Sequence, residues 1–279
     1  MRRKKILITG SKGQLAKAFY HLFNKKYKII ALDSSELNIA NKIEVESNLI
    51  KINPDIVLNC AAFTNVDDCE EMIDKAFLIN AESIRNFKKF NGLFFQISTD
   101  YVFDGLNGPF AEDSIVNPIN NYGKSKLQGE KIVSDTFENF NILRTNILFG
   151  MDSKASFLEW VVQSINKNEK INVINDQFNN PLSVFDCARS IDFLINSDYR
   201  GLYHIGSDLV CSRYDFAKLI ASIWNLDDRF ILPISTKDLN NKLDFFKAQR
   251  PLRSGLISNF DFLPKYSLVK SLKEIRDMY

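Results

Sequence analysis

Three apolar runs in the first hundred residues constrain the fold most: KIIALD at 28–33, DIVLNC at 55–60 and LFFQIS at 93–98. A strand with one wet face alternates apolar and polar residues, whereas a parallel strand covered on both faces reads as a continuous apolar run. Segments with helical periodicity separate them, at 14–23, 42–52, 73–90 and 122–137, the second ending at the Asn53-Pro54 breaker. With further strands at 5–9 and 141–144, the order is that of right-handed βαβ units. The expected class is α/β, a Rossmann-type doubly wound parallel sheet with a smaller α/β C-terminal lobe.

That lobe begins where the pattern loosens. Helices are expected near 156–167, 184–196, 213–224 and 268–278, with short strands at INVI and LYHIG. The division is a dinucleotide-binding half at 1–150 and a substrate lobe at 151–279, with 182–206 a candidate for packing back on the first half. No repeat and no linker rich in Pro, Gly or Ser separates the halves.

A chain of 279 residues with only 11 Gly and 7 Pro is ample for a sizeable core and unlike a disordered or collagenous sequence. Its 36 basic against 34 acidic residues lack the excess that nucleic acid would demand. The two histidines, His21 and His204, and the cysteines Cys60, Cys69, Cys187 and Cys211 form no metal-ligand spacing, so no metal site is expected. The cysteines read as buried thiols, and His204 as a core-edge residue on an apolar strand. The apolar stretch after MRRKK is too short for a secretory core, and no run approaches a membrane span. A soluble, cytoplasmic protein is the expectation.

Directly after the first strand, Gly10-Ser-Lys-Gly13-Gln14-Leu15-Ala16 opens a helix. Glycine tolerates the tight turn, a second glycine lets backbone approach a pyrophosphate, and the helix N-terminus offers free amide donors. GxxGxxA is less specific than GxGxxG, and such a pair is often just a turn. Asp33, 23 residues beyond Gly10, stands near the position of an acid that bonds an adenosine ribose. Its carboxylate would repel a 2′-phosphate, favouring NADH over NADPH.

Tyr-x-x-x-Lys places a phenol and an ammonium on one helix face, where the cation stabilises tyrosinate and the phenol can protonate a carbonyl oxygen. Three matches exist: Tyr122/Lys126, Tyr214/Lys218 and Tyr266/Lys270. Only the first follows a strand that ends in Thr99, an arrangement that brings both hydroxyls to one strand-end crevice. The other two read as ordinary helical faces.

These segments, with Asn59 to Thr64, STDYVF at 98–103 and Tyr122-Gly-Lys-Ser-Lys126, resemble an extended short-chain dehydrogenase/reductase. Arg144-Thr145, Asn175-Asp176-Gln177-Phe178 with Pro181, Gly201-Leu-Tyr-His204 and Arg250-Pro251 narrow the resemblance to the dTDP-4-dehydrorhamnose reductases, over nearly the whole chain. The resemblance implies hydride transfer from NADH or NADPH to the 4-keto carbon of a nucleotide-linked deoxysugar, giving dTDP-L-rhamnose. It implies Tyr122 as proton donor, Lys126 holding the cofactor ribose and tuning Tyr122, and Thr99 bonding the carbonyl oxygen. Gly10, Gly13, Gln14, Leu15, Asp33, Asn38, Ile39, Ala61, Ala62 and Thr64 would line the dinucleotide with Tyr122 and Lys126. Thr99, Asp100, Tyr101 and Asn146 would face the sugar.

Phe178 is a candidate ligand contact, and Arg250 either pairs with a substrate diphosphate or forms a solvated salt bridge. Ile147 stands where rhamnose-forming members carry a tryptophan. Related dehydratases place an Asp-Glu pair after the threonine; here Asp100 is followed by Tyr101, which favours reduction. Two other readings stay open: an idle dinucleotide-binding regulatory subunit, similar to that of methionine adenosyltransferase, and a nucleotide-sugar epimerase. A homodimer is a candidate assembly; neither nucleic acid nor membrane is an expected partner.

Overall fold

A computed structural model describes residues 2–150, 156–243 and 248–279. Five parallel strands come from the first half: β1 (Lys5–Thr9), β2 (Lys28–Leu32), β3 (Ile56–Asn59), β4 (Leu93–Thr99) and β5 (Phe140–Thr145). The sixth strand, Gly201–Ile205, is parallel to β5, and the order across the sheet is Gly201–Ile205, β5, β4, β3, β1, β2. The runs of β3 and β4 have the burial their pattern requires, whereas β2, at the edge of the sheet, is only half-buried because no strand covers its outer side. Ile6 and Ile8 of β1 enter one core and Leu7 the other, so each side chain is removed from water.

Helices α1 (Gln14–Phe23), α2 (Lys42–Ile52), α3 (Asp68–Glu71), α4 (Ile73–Asn80) and α5 (Asn121–Thr136) connect these strands. The bounds of α2 follow from local chemistry. Asn41 Oδ1 accepts from the amides of Ile43 and Glu44 at 3.1 and 3.4 Å, and Asn53 closes the helix with φ 47° before Pro54. The helix expected over 73–90 is instead broken at Ala81 (φ −130°, ψ −70°) and continues as a 3₁₀ segment, Glu82–Phe87. The side chain of Asn80 turns into the core there, bonding both backbone groups of Phe63 and the Ser125 hydroxyl.

The segment Leu182–Ser183 to Ile205 belongs spatially to the sheet: helix Val184–Ile195 packs on α1 and shares its core. The boundary expected after residue 150 opens onto 151–155, which lie outside the described residues. The second lobe has its own core, built from Phe149, Leu158, Phe216, Ile220, Leu268 and Leu272 among others. Strand Ile171–Ile174 pairs there with Ile231–Ile234, and helix Thr236–Leu243 follows; neither the second strand nor this helix shows in the sequence pattern. All four cysteines are free, and Cys69, Cys187 and Cys211 are buried. No helix among the described residues is long and apolar enough to cross a membrane.

Candidate functional site

The carboxyl ends of β1, β3, β4 and β5 open into a cavity of about 620 Å³, the place where ligands bind in open α/β sheets. A line of buried polar contacts crosses these ends. Thr9 Oγ1 donates to Asn59 Oδ1 at 2.6 Å, Asn59 Nδ2 to Gln96 Oε1 at 2.8 Å, and Gln96 Nε2 to the Ile97 carbonyl at 3.0 Å. The same carbonyl accepts from Lys126 Nζ at 2.6 Å.

At one end of the cavity the glycine turn is pinned between strands. The Gly13 amide donates to the Gly10 carbonyl at 3.0 Å, and the Ser11 amide to the Leu32 carbonyl at 3.1 Å. Gly10 has φ 69°, and a Cβ there would stand 2.9 Å from the Ala61 backbone, so only glycine fits. Helix α1 begins with no side-chain cap, which leaves its first amides open to an anion. Gly13, Gln14, Leu15, Ala61, Ala62 and Thr64 line this end.

The opposite end carries the phenol and the ammonium. Asn120 caps α5 through the Gly123 amide at 2.8 Å, and Glu70 of α3 takes the Asn121 amide at 2.8 Å. A Cβ on Gly123 would lie 2.1 Å from the Tyr101 carbonyl, so this glycine is what lets the helix seat Tyr122 beside Thr99. The rings of Tyr101 and Tyr122 meet edge to face at 5.7 Å. Thr99 Oγ1 accepts from the Tyr101 amide at 3.2 Å and donates to Asp100 Oδ1 at 3.1 Å.

Burial dominates the electrostatics. It pushes the Tyr122 phenol well above its usual value, against the Thr99 hydroxyl, and lowers Lys126 to about 8, against the attraction of Glu130. Burial also raises Asp100 to about 6, against hydrogen bonds from Ser254, Asn146 and Thr99. One turn beyond Lys126, Glu130 forms a two-pronged pair with Arg144 at 2.9 and 2.7 Å, both side chains 5% exposed. Ser98 Oγ adds a bond to Glu130 at 2.5 Å. His204, 2% exposed, faces Arg144 through Nε2 at 3.3 Å and the Phe110 and Ile257 carbonyls through Nδ1, and burial lowers it to about 4. It is a neutral structural residue.

A second cavity of about 550 Å³ adjoins the first, and Val66, Tyr101, Phe157 and Arg213 line both. Trp160, Ile171, Val173 and Leu239 make it largely apolar, with Gln177 and Arg250 on its wall. Arg213 escaped the sequence reading. It opens helix Arg213–Ile223 behind the Ser212 cap and donates from Nε to Gln177 Oε1 at 3.2 Å. The Ser212…Asp215 capping box marked the helix start but gave no sign that its first residue faces a cavity.

Several expected contacts stand elsewhere. Phe178 lines neither cavity; its ring lies under the Arg253 guanidinium, and its neighbour Gln177 faces the cleft instead. Asn38 and Ile39 are outside the cavity too: Ile39 is in the core beside the sheet, and Asn38 Oδ1 accepts from the Ala40 amide. Arg250 does reach the second cavity, but its guanidinium is bonded to Asp67 at 2.6 Å and to the Ala248 carbonyl at 2.8 Å. Asp100 lines the first cavity with its carboxylate tied into the wall by Ser254. Asn146 and Ile147 also line it, Ile147 offering a small apolar surface. The other Tyr/Lys pairs are outside: Lys218 pairs with Asp228, and Tyr266 accepts from Ser190.

A dinucleotide fits the first cavity on the chain's own terms. Gln14 Oε1 and Asn146 Oδ1, both lining it, are buried without a hydrogen-bond partner, and the N-terminus of α1 is uncapped. Such buried polar atoms call for a partner, and a ligand in the cavity would supply one. Among the described residues no cluster of His, Cys, Asp and Glu is disposed to hold a metal.

Known proteins resemble this chain. Spore coat polysaccharide biosynthesis protein SpsK of Bacillus subtilis is 34% identical over 244 residues, 85% of each chain. The dTDP-4-dehydrorhamnose reductase of Aggregatibacter actinomycetemcomitans is 32% identical over 226 residues, 76% of each. A crystal structure of the dTDP-4-dehydrorhamnose reductase of Bacillus anthracis in complex with NADP superposes with a TM-score of 0.93, at 32% identity over 100% of both chains. The model of the RmlD substrate binding domain matches residues 4–260, and the chain belongs to that family.

Proposed function

We propose that this chain reduces the 4-keto carbon of dTDP-4-dehydro-6-deoxy-L-mannose to give dTDP-L-rhamnose. It is an NAD(P)-dependent oxidoreductase; when bound, the reduced nicotinamide supplies the hydride. The observation that carries the reading is the meeting of Thr99, Tyr122 and Lys126 in the wall of the first cavity. The first cavity takes the dinucleotide, and the apolar second one takes the nucleotide of the sugar, with Arg213 between them to face its diphosphate.

Each group then has one task. The Tyr122 hydroxyl passes its proton to the carbonyl oxygen as negative charge develops there, and Thr99 holds that oxygen by a hydrogen bond. Lys126, lowered to about 8 by burial, supplies the positive charge that the resulting tyrosinate needs. A phenol raised by burial stays protonated until that charge is in place, which suits a donor. Asp100 shapes the wall and holds Thr99 and Ser254 in register.

Loss of reduced-nicotinamide absorbance, with that keto-sugar as substrate, tests the assignment. Turnover by the wild type that disappears in Tyr122→Phe is the expected result. Dinucleotide binding without turnover of any 4-keto deoxysugar would refute it and move the chain to the regulatory class.

A further inference from the structure

A buried ion pair that the proposed reaction does not use stands one helical turn from the charge it does use. Lys126 and Glu130 are four residues apart on α5, on one face of the helix, and each is 4% exposed. Consecutive residues of β4 engage them: the Ile97 carbonyl accepts from Lys126 Nζ at 2.6 Å, and Ser98 Oγ donates to Glu130 Oε1 at 2.5 Å. Ser98, Arg144 and His204 are register neighbours across β4, β5 and Gly201–Ile205, so their side chains share one face of the sheet. From that row Arg144 donates through Nε and Nη2 to both oxygens of Glu130, and its guanidinium lies 5.2 Å from the centre of the Phe103 ring. The carboxylate is thus held at both oxygens in one orientation.

Apolar residues of similar volume would hold α5 on the sheet as well as a buried ion pair does, so packing alone does not call for these charges. The surroundings of Lys126 do. Burial lowers it to about 8 with the attraction of Glu130 already acting the other way. Among the described residues, the other titratable groups near it or its helix do not replace that carboxylate. Burial raises the Cys60 thiol to about 12 and keeps Tyr122 a phenol, Asp100 faces Thr99 and Ser254, Glu70 bonds Asn121 at the helix start, and His204, lowered to about 4, is neutral. We propose that Glu130 is a positioning residue for the reaction: fixed by Arg144 and Ser98, its buried carboxylate is the counter-ion that keeps Lys126 an ammonium. This inference rests on the reading of Lys126 as the charge opposite the tyrosinate, and adds what sustains that charge.

The test is carbon-13 NMR of the full chain labelled at lysine Cε, without cofactor, the Lys126 signal being the one absent from Lys126→Met. Lys126 should titrate near 8 in the wild type. In Glu130→Gln its midpoint should fall by about one pH unit, and Glu130→Asp, which keeps the charge, should restore most of that fall. The double variant Glu130→Gln with Arg144→Met removes the buried cation along with its partner, which spares the fold, and its midpoint should move in the same direction. With reduced nicotinamide and the keto-sugar, the alkaline limb of the turnover profile of Glu130→Gln should move to lower pH by the same amount, a change that loosening of the helix would not produce. A Lys126 midpoint unmoved in the folded Glu130→Gln and double variants overturns the proposal and leaves the reductase reading intact. A lowered midpoint without keto-sugar turnover supports it and counts only against that reading.

Discussion

Asp100 offers a measurement that reads the site's interior without substrate. Its carboxyl is 3% exposed and burial raises it from 3.8 to about 6, even with Ser254, Asn146 and Thr99 bonded to it. Between these two values the folded chain binds a proton that the unfolded chain has released. The stability contributed by the protonated form is therefore complete below 3.8 and lost as pH rises through about 6. The rise from 3.8 to about 6 corresponds to about 3 kcal/mol in full, of which about 1.4 kcal/mol develops between about pH 5 and pH 8. Asp100→Asn keeps the shape and an acceptor for Ser254 but cannot ionise. Urea unfolding of both proteins at the two pH values isolates the group, since every other titration cancels in the difference. The variant should gain about 1.4 kcal/mol relative to wild type on going from about pH 5 to pH 8. A difference that stays constant with pH would show that Asp100 does not ionise inside a desolvated wall, and the account of its role would fall with it.

Replacement of Tyr122 by Phe should cut turnover by about 10²- to 10⁴-fold while dinucleotide affinity, followed by fluorescence, changes little. Gly10→Ala forces a φ of 69° on alanine and drives a methyl into the Ala61 backbone; unfolding should be about 1–3 kcal/mol easier and dinucleotide binding lost. Glu130→Gln leaves the Arg144 guanidinium buried against a neutral partner, at a cost of about 3–5 kcal/mol in denaturant unfolding. The double variant Glu130→Gln with Arg144→Met should recover part of that loss, and no recovery would show that the pair's charges are not what the site resists losing.

How much of this was legible in the chain varies with the range of the forces involved. The bounds of α2 were readable because Asn41 and the Asn53-Pro54 step act on their own neighbours. The break at Ala81 was not, because it exists to let Asn80 hold the Phe63 loop across the fold. The glycine turn, Thr99 and the Tyr122/Lys126 pair were visible as motifs, and all of them line or border one cavity. Arg213 carried no local mark, and Phe178 was suspected where its neighbour Gln177 faces the cleft, a matter of which way one side chain points.

Local chemistry in the sequence thus determined the α/β class, the six strands of the sheet, the open helix end and the candidate proton donor. Each depends on periodicity, a capping side chain or a fixed spacing within a few turns of chain. Tertiary structure decided the rest. It brought Gly201–Ile205 beside β5, engaged Arg250 with Asp67, placed Lys12 on Asp33 and withdrew Asp100 from water. These outcomes depend on charge, desolvation and packing between residues far apart in sequence, whose distances are set only when the whole chain has closed on its cores.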